Sequence, residues 1–168
     1  MANILGLDLS TSTCGFAIVD DKKIVTMGFI DISKQVSYKE KAMIIIQKLE
    51  TLPTFHRIQV EDSLSGFSGG GTSQQIILML AKTNAVVSYI IEEHFGIELI
   101  HGNPSTVRKN VFGRSKISGM KSKVFVKQEV EKLYNISNWN IINKRKNIDK
   151  RMDDARDALV MALWNPTL

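Results

Sequence analysis

Apolar and polar positions alternate along the first part of the chain and predict a run of strands. Residues 3–9 and 15–20 are mostly apolar and flank a short polar turn rich in serine and threonine, which is typical of a β-hairpin. Residues 23–32 are rich in β-branched side chains and predict a third strand. The chain is therefore expected to begin with a three-stranded antiparallel meander.

The rest of the chain alternates between helical and extended patterns. Apolar residues recur at helical spacing in residues 37–50, and a short apolar run at residues 57–61 predicts a fourth strand. A long helix over 73–94, a strand over 97–101 and a short helix opened by Pro104 follow. Further helices are predicted over 121–134 and 152–163, and the polar segment 135–150 is expected to be a loop. This order predicts one α/β domain over 1–168, a mixed five-stranded sheet with helices on both faces.

Two segments in the middle of the chain have distinct patterns, which predict a loop and a helix with a buried face. Residues 63–72 hold four glycines, a composition that disfavours helix and strand, so a loop is expected there. The long helix that follows has an apolar stripe that we expect to be buried, formed by Ile76, Ile77, Leu80, Val87 and Ile91.

Composition excludes several classes of protein. Of the 168 residues, 43% are hydrophobic, too many for a disordered chain. The single cysteine, Cys14, offers no disulfide framework and favours a reducing compartment, so the expected location is the cytoplasm of a bacterial cell or of a phage-infected host. No secretory signal pattern opens the chain, no apolar run approaches the roughly 20 residues that span a bilayer, and no membrane partner is expected.

Positive charge is concentrated in one part of the chain. The net charge is +5, but residues 101–151 hold 13 Lys and Arg against only 3 Asp and Glu. Such a segment favours a polyanionic partner, because each neutralised phosphate releases condensed counterions. A solvated lysine-rich face is the alternative.

Four acidic residues stand where the predicted elements begin or end. Asp8 and Glu61 lie at the ends of two predicted strands, and Asp154 and Asp157 are three residues apart on the last helix. Four clustered carboxylates repel one another and favour a divalent cation, with oxygen ligands suited to Mg²⁺ or Mn²⁺. Each acid also has a structural reading, as a turn residue, an exposed strand end or a partner of the helix dipole.

The motifs around these acids resemble a known family. The segment ILGLDLSTSTCGFAI (residues 4–18) is similar to the opening hairpin of RuvC-type Holliday junction resolvases, and Val60-Glu61 is similar to their second motif. DARDAL (residues 154–159) resembles their closing helix, and the resemblance covers nearly the whole chain in order. It implies a ribonuclease H-like fold, a homodimer, and Mg²⁺-dependent cutting of four-way DNA junctions, with Mn²⁺ as a substitute. Asp8, Glu61, Asp154 and Asp157 become the metal-binding and catalytic acids of a two-metal-ion hydrolysis, with Asp8 the candidate to bridge both ions.

Two segments depart from the family pattern. The loop after Glu61 is richer in glycine, and residues 135–151 are longer and more basic than expected. These differences suggest a diverged phage or other viral member.

Candidate DNA contacts follow from residue type. Phe67, or Leu64, in the glycine-rich loop is a candidate wedge between bases, unless it packs onto the core or a dimer contact. Six basic residues are candidate contacts to the phosphate backbone: Arg108, Lys109, Arg114, Lys116, Lys121 and Lys123. The run Lys144-Arg145-Lys146 is either a further contact or a flexible basic loop.

Other functions use the same features. A non-catalytic junction-binding protein keeps the fold and the basic surface, and a ribonuclease H-like nuclease on RNA–DNA hybrids or flaps keeps the acids. A phosphate-binding hairpin of the sugar-kinase or actin-like type needs a second half and an adenosine-binding segment, which these 168 residues do not contain.

Overall fold

A mixed sheet of five strands organises the structure, a computed structural model that describes residues 3–62 and 74–167. The strands are β1 (Ile4–Leu9), β2 (Thr13–Asp20), β3 (Lys23–Asp31), β4 (Arg57–Glu61) and β5 (Leu99–Gly102). Their spatial order is β3-β2-β1-β4-β5. β1–β2 and β2–β3 are antiparallel, whereas β1–β4 and β4–β5 are parallel. The predicted meander and the mixed five-stranded sheet are confirmed.

Five α-helices cover both faces of this sheet: α1 (Tyr38–Leu49), α2 (Gln74–Phe95), α3 (Pro104–Phe112), α4 (Ser122–Leu133) and α5 (Met152–Leu163). α1 begins at a capping box in which the Ser37 hydroxyl accepts from the Glu40 amide and the Glu40 carboxylate accepts from the Ser37 amide. Asn103 caps the start of α3, and Gly113 caps its end with a φ of 75°, the left-handed conformation that favours glycine. Both helices begin within one residue of the predicted starts.

The period of two along each strand divides the core into two layers. Leu5, Leu7 and Leu9 of β1 face α1 and α2, and the intervening residues face α5. The second layer packs α3, α4 and α5 against the opposite face of the sheet, around Phe125 and Leu159. α5 therefore lies directly on the face of β1 that carries Asp8.

The segment between α4 and α5 is more ordered than the predicted loop. It contains a short 3-10 helix, Ser137–Trp139, and an antiparallel bridge between Ile142 and Ile148. The expectation of a plain loop was wrong, because paired asparagines and a local ion pair close this segment on itself.

α2 is less buried than its apolar stripe predicted. Val87 and Ile91 are fully buried, but Ile76 is 50% exposed. By length and composition alone, α2 is apolar enough to cross a membrane. Its mean hydropathy is 1.2 over an 18-residue window, and 28% of that window is buried. The expectation that no apolar segment approaches the length that spans a bilayer was therefore too strong. A core or interface helix also meets this criterion.

Candidate active site

Two neighbouring strands bring Asp8 and Glu61 to one edge of the sheet. Leu7 of β1 pairs in parallel register with Val60 of β4, so Asp8 and Glu61 each lie one residue further along. Leu7 and Val60 both belong to the core beneath α1 and α2. Because side chains alternate along a strand, Asp8 and Glu61 both face the α5 side.

Two glycines allow α5 to approach this face closely. Gly15 pairs with Asp8 across β1 and β2, and a Cβ on Gly15 would lie 2.1 Å from the carbonyl oxygen of Asp154. A Cβ on Gly6 would lie 2.0 Å from the carbonyl oxygen of Ala158. The first turn of α5 therefore rests on the backbone beside Asp8, and Asp154 and Asp157 project from it.

An open cleft of about 460 Å³ lies where these elements meet. All four predicted acids line it, and Asp157 is only 6% exposed. The cleft is lined by Asp8, Leu9, Ser10, Glu61, Asp62, Leu80, Pro104, Ser105, Arg108, Ser122, Lys123, Asp154 and Asp157. Acids separated by as much as 149 positions thus share one surface.

Two basic side chains enter the same cleft. The Lys123 ammonium lies 2.9 Å from Oδ1 of Asp154, and the Arg108 guanidinium lies 3.6 Å from Oδ1 of Asp157. The Lys123 side chain is 59% exposed and that of Arg108 only 13%. Two of the predicted phosphate contacts are therefore ion-paired with the acids.

The other predicted phosphate contacts lie outside the cleft. Lys121 is the residue that precedes α4, and Lys109 and Lys116 are exposed. Arg114 pairs with Glu129 at 2.9 Å and lies 6.0 Å from the centre of the Phe125 ring. Phe67 and Leu64 lie outside the described residues, so their wedge role stays a prediction.

The crowded carboxylates change one another's acidity. Burial, followed by the charges of Glu61 and Asp157, raises the pKa of Asp8 well above its usual value. Burial and then Asp157 raise the pKa of Glu61 to about 8, and burial raises that of Asp157 to about 6 against the opposing effect of Arg108. Burial alone would lower the pKa of Lys123, but the hydrogen bond that Lys123 donates to Asp154 and the charges of the nearby carboxylates outweigh it and raise that pKa. The cleft brings together more carboxyl groups than cations.

The donor chemistry of the cleft suits a hard divalent cation. All four acids supply oxygen, and Oδ1 of Asp157 is buried without a hydrogen-bond partner. Across residues 3–62 and 74–167, however, no group of three or more acidic, histidine or cysteine side chains is gathered closely enough to hold a metal ion. The residue types fit a metal, and Lys123 and Arg108 stand where their charges balance Asp154 and Asp157.

Several side chains hold the backbone around the site in place. The Ser10 hydroxyl accepts from the Thr13 amide at 2.9 Å and closes the turn after Asp8. Asn84 of α2 donates to the carbonyl of Glu61 at 3.0 Å. Lys41, 8% exposed, donates to the carbonyls of Thr11 and Ile32. In the sequence, a close approach between backbones is indicated only by glycines inside strands.

The strand order and the position of the acids define a class of protein. A mixed sheet with an antiparallel meander, two parallel strands and a final helix carrying acids across the first strand is the ribonuclease H-like fold. Comparison with solved structures agrees. The structure of T. thermophilus RuvC in complex with Holliday junction substrate matches with a TM-score of 0.63 at 16% identity, covering 97% of this chain and 92% of that one.

Two further resolvase structures share the fold. The yeast mitochondrial Holliday junction resolvase Ydc2 matches with a TM-score of 0.63 at 15% identity, covering 96% of this chain and 76% of that one. The Fowlpox virus resolvase in complex with substrate Holliday junction DNA matches with a TM-score of 0.53 at 17% identity, covering 96% of this chain and 94% of that one. The architecture is therefore that of junction resolvases from bacteria, mitochondria and a virus.

Sequence comparison narrows the class. The chain is 26% identical over 167 residues to the crossover junction endodeoxyribonuclease RuvC of Aliarcobacter butzleri, covering 95% of each. No family model matches the chain. The chain is therefore similar over nearly its whole length to a RuvC-type Holliday junction resolvase and shares the fold of that class.

Proposed function

We propose that the protein is a structure-selective endonuclease that resolves four-way DNA junctions by metal-dependent phosphodiester hydrolysis. The observation that carries this proposal is the convergence of Asp8, Glu61, Asp154 and Asp157 in one cleft beside Arg108 and Lys123. The RuvC relative and the resolvases of the same fold support the choice of junction DNA as substrate.

The four acids are assigned the role of metal ligands. They would hold a pair of Mg²⁺ ions, or Mn²⁺ in their place, which would supply an activated water and relieve charge on the leaving oxygen. Asp8 lies on the central strand between Glu61 and α5, so it is the ligand placed to be shared. Glu61 holds one side of the site, and Asp154 and Asp157 hold the other.

The cations of the cleft are assigned to the scissile phosphate. Lys123 is paired with Asp154 but largely exposed, so its flexible side chain can turn to a phosphate once Asp154 is engaged elsewhere. Arg108 is held beside Asp157 with little exposure and acts from a fixed position. Lys109, Arg114, Lys116 and Lys121 extend the contact to neighbouring phosphates, which fixes the DNA without reading its bases.

The exposed face of α2 is assigned to a second copy of the chain. Leu78 is 55% exposed, Met79 47% and Tyr89 63%, an apolar strip that a single chain leaves open to solvent. A junction offers two equivalent strands, and a twofold dimer supplies two matched sites. We propose that the dimer acts in the cytoplasm of a bacterial cell or a phage-infected host, where DNA and reduced thiols occur together.

Cleavage of a labelled four-way junction in Mg²⁺ tests the nuclease assignment. The wild-type protein is expected to give paired nicks near the crossover. Asp8→Asn and Asp157→Asn are expected to lose at least 100-fold in rate while still binding the junction, since oxyanion and metal contacts of this kind contribute several kcal/mol.

Asp153→Asn is the matched control for these variants. Asp153 lies in the same turn of α5 but pairs with Arg156 at 3.1 Å and does not line the cleft, so its loss should leave the rate within a few-fold. Wild-type protein that binds the junction but makes no cut contradicts the proposal. Faster cutting of RNA–DNA hybrids or flaps than of junctions reassigns the substrate.

Sedimentation equilibrium tests the dimer. Leu78→Glu places a charge in the exposed apolar strip and is expected to shift the protein to monomer. Val36→Glu, at a side chain 93% exposed on another surface, is the control and should leave the association unchanged. A wild-type protein that sediments as a monomer at micromolar concentration contradicts the assignment.

A further inference from the structure

The chain between α4 and α5 forms a small β-hairpin over residues 141–149. The amide of Asp149 donates to the carbonyl of Ile141 at 2.8 Å, and that of Asn143 donates to the carbonyl of Asn147 at 2.8 Å. At the tip, Oδ1 of Asn143 accepts from the amides of Arg145 and Asn147. The hairpin therefore has a defined tip, residues 143–147, on a fixed base.

The tip presents three unbalanced positive charges. Lys144, Arg145 and Lys146 are all exposed, and none has an acidic partner in the part of the chain that the structure describes. Lys146 adopts a φ of 60°, a left-handed conformation that turns the chain back towards Asn147. The nearby carboxylate of Asp149 is already paired with Arg151 at 2.8 Å. The tip is thus free to neutralise an external anion.

The base of the hairpin is attached to the same end of the sheet as the acidic cleft. The Arg151 guanidinium lies 4.3 Å from the centre of the Phe29 ring and 2.7 Å from Oδ2 of Asp31, the last residue of β3. Asp31 pairs with Thr13 at the start of β2, beside the turn that follows Asp8. Lys146 is three residues from Asp149, so the tip stays within about 10 Å of this base.

The hairpin and the cations of α3 and α4 therefore flank the acids from opposite sides. The hairpin is attached at β3, whereas α3 follows β5 at the other end of the strand order. Four strand spacings of about 4.8 Å separate β3 from β5, roughly 19 Å. A duplex carries one charge per about 1.7 Å of its axis, so a length of about 19 Å contains about eleven phosphate charges, of which only a part faces the protein.

We propose that Lys144, Arg145 and Lys146 form a second binding site for the phosphate backbone of a duplex arm, across the acidic cleft from Arg108 and Lys123. This inference rests on the proposed function, because it concerns the DNA that the cleft cuts. The contact is electrostatic, so it fixes the position of the arm without reading its sequence.

Salt-dependent binding tests the proposal, measured with a fluorescent four-way junction and Asp8→Asn protein as the uncut parent. The tip variant is K144Q/R145Q/K146Q in that parent. Each lost phosphate contact reduces the slope of log K against log salt by about 0.9, so three contacts predict a reduction of about 2.7. Urea unfolding of the tip variant checks that its fold is unchanged.

Two matched variants make the result specific. K22Q/K23Q/R57Q removes two lysines and one arginine, all exposed, at the opposite end of the sheet, and should change the slope by less than about 0.5. K144R/R145K/K146R keeps the charge and should keep the parent slope.

The outcomes separate this inference from the proposed function. Strong junction binding by the parent with an unchanged slope in the tip variant overturns the inference and leaves the endonuclease assignment intact. An equal loss in the opposite-end control, or in the charge-keeping variant, also overturns it. A parent that binds no branched DNA overturns both.

Discussion

Gly15 determines how closely α5 approaches the acidic cleft, and replacing it with alanine tests the packing on which the site depends. A Cβ at this position would lie 2.1 Å from the carbonyl oxygen of Asp154, 2.3 Å from its carbonyl carbon and 2.8 Å from the amide nitrogen of Ala155. All three neighbours are helix backbone and cannot rotate away as a side chain can. The helix must therefore move.

The distance by which α5 must retreat determines the expected loss of stability and of cleavage rate. Non-bonded heavy atoms settle about 3.5 Å apart, so the start of α5 must retreat by roughly 1 Å or more. Overpacking a core costs about 1–3 kcal/mol, and a clash with backbone belongs at the upper end. A misplacement of about 1 Å at a catalytic group costs roughly 100-fold in rate. We expect Gly15→Ala to lose about 3 kcal/mol of unfolding free energy and about 100-fold in junction cleavage.

Urea unfolding at one fixed protein concentration, followed by tryptophan fluorescence, measures the stability. With an m-value of about 2 kcal/mol/M, the midpoint should fall by about 1.5 M. Gly28→Ala is the matched control, because a Cβ there meets only ring carbons of Phe16, the nearest at 3.0 Å, and the ring can shift. If Gly15→Ala stays within 0.5 kcal/mol of wild type, or cleaves at the wild-type rate while folded, the argument that α5 must touch the backbone at Gly15 is refuted.

Three further predictions follow from the same packing and charges. Phe125→Ala removes a fully buried ring that meets Phe112 edge-on at 5.8 Å, and should cost about 4 kcal/mol in urea unfolding, against less than about 0.5 for Val124→Ala at an exposed neighbour. Lys41→Met leaves two carbonyls near the turn after Asp8 without their donor and should cost about 2 kcal/mol; a loss below 0.5 contradicts this role. The hydrogen bonds from Arg151 hold the pKa of Asp149 at about 2, below its unfolded value, so its stabilisation is complete at neutral pH and is lost as the pH falls towards 2. The stability gap between wild type and Asp149→Asn, about 1 kcal/mol after solvent screening, should therefore shrink between pH 5 and pH 2, and a gap that is constant with pH contradicts the assignment.

Local patterns predicted the elements of the fold well. Alternation in the first three strands, the apolar spacing of residues 42–49 and the run of residues 57–61 each specify their element without long-range information. The sequence placed Asp8 and Glu61 at strand ends, and the structure shows that these two strands are neighbours, so the acids meet at one edge. The family resemblance implied the ribonuclease H-like fold but no register.

Long-range packing accounts for what the sequence did not reveal. The apolar stripe of α2 has the same spacing whether it packs against the core of this chain or against another surface. The spacing alone therefore could not show that Ile76, which was expected to be buried, is half exposed. The basic segment before α5 lacks hydrophobic periodicity, and its order comes instead from asparagine hydrogen bonds and from Arg151 bound to Asp31, a residue 120 positions away. Interactions at such a separation leave no local signature.

The two cations of the cleft differ in how readily they can change partners. Lys123 precedes Phe125 by two residues, so the buried ring fixes the backbone of α4 while the ammonium remains 59% exposed. Arg108 follows the buried Val107, and its side chain is only 13% exposed. Releasing Lys123 from Asp154 therefore requires only the rotation of a solvated side chain, whereas the Arg108 side chain has little solvent into which it can turn away from Asp157. It follows that Asp154 is the acid that can most readily lose its cationic neighbour, whereas Asp157 is held beside Arg108.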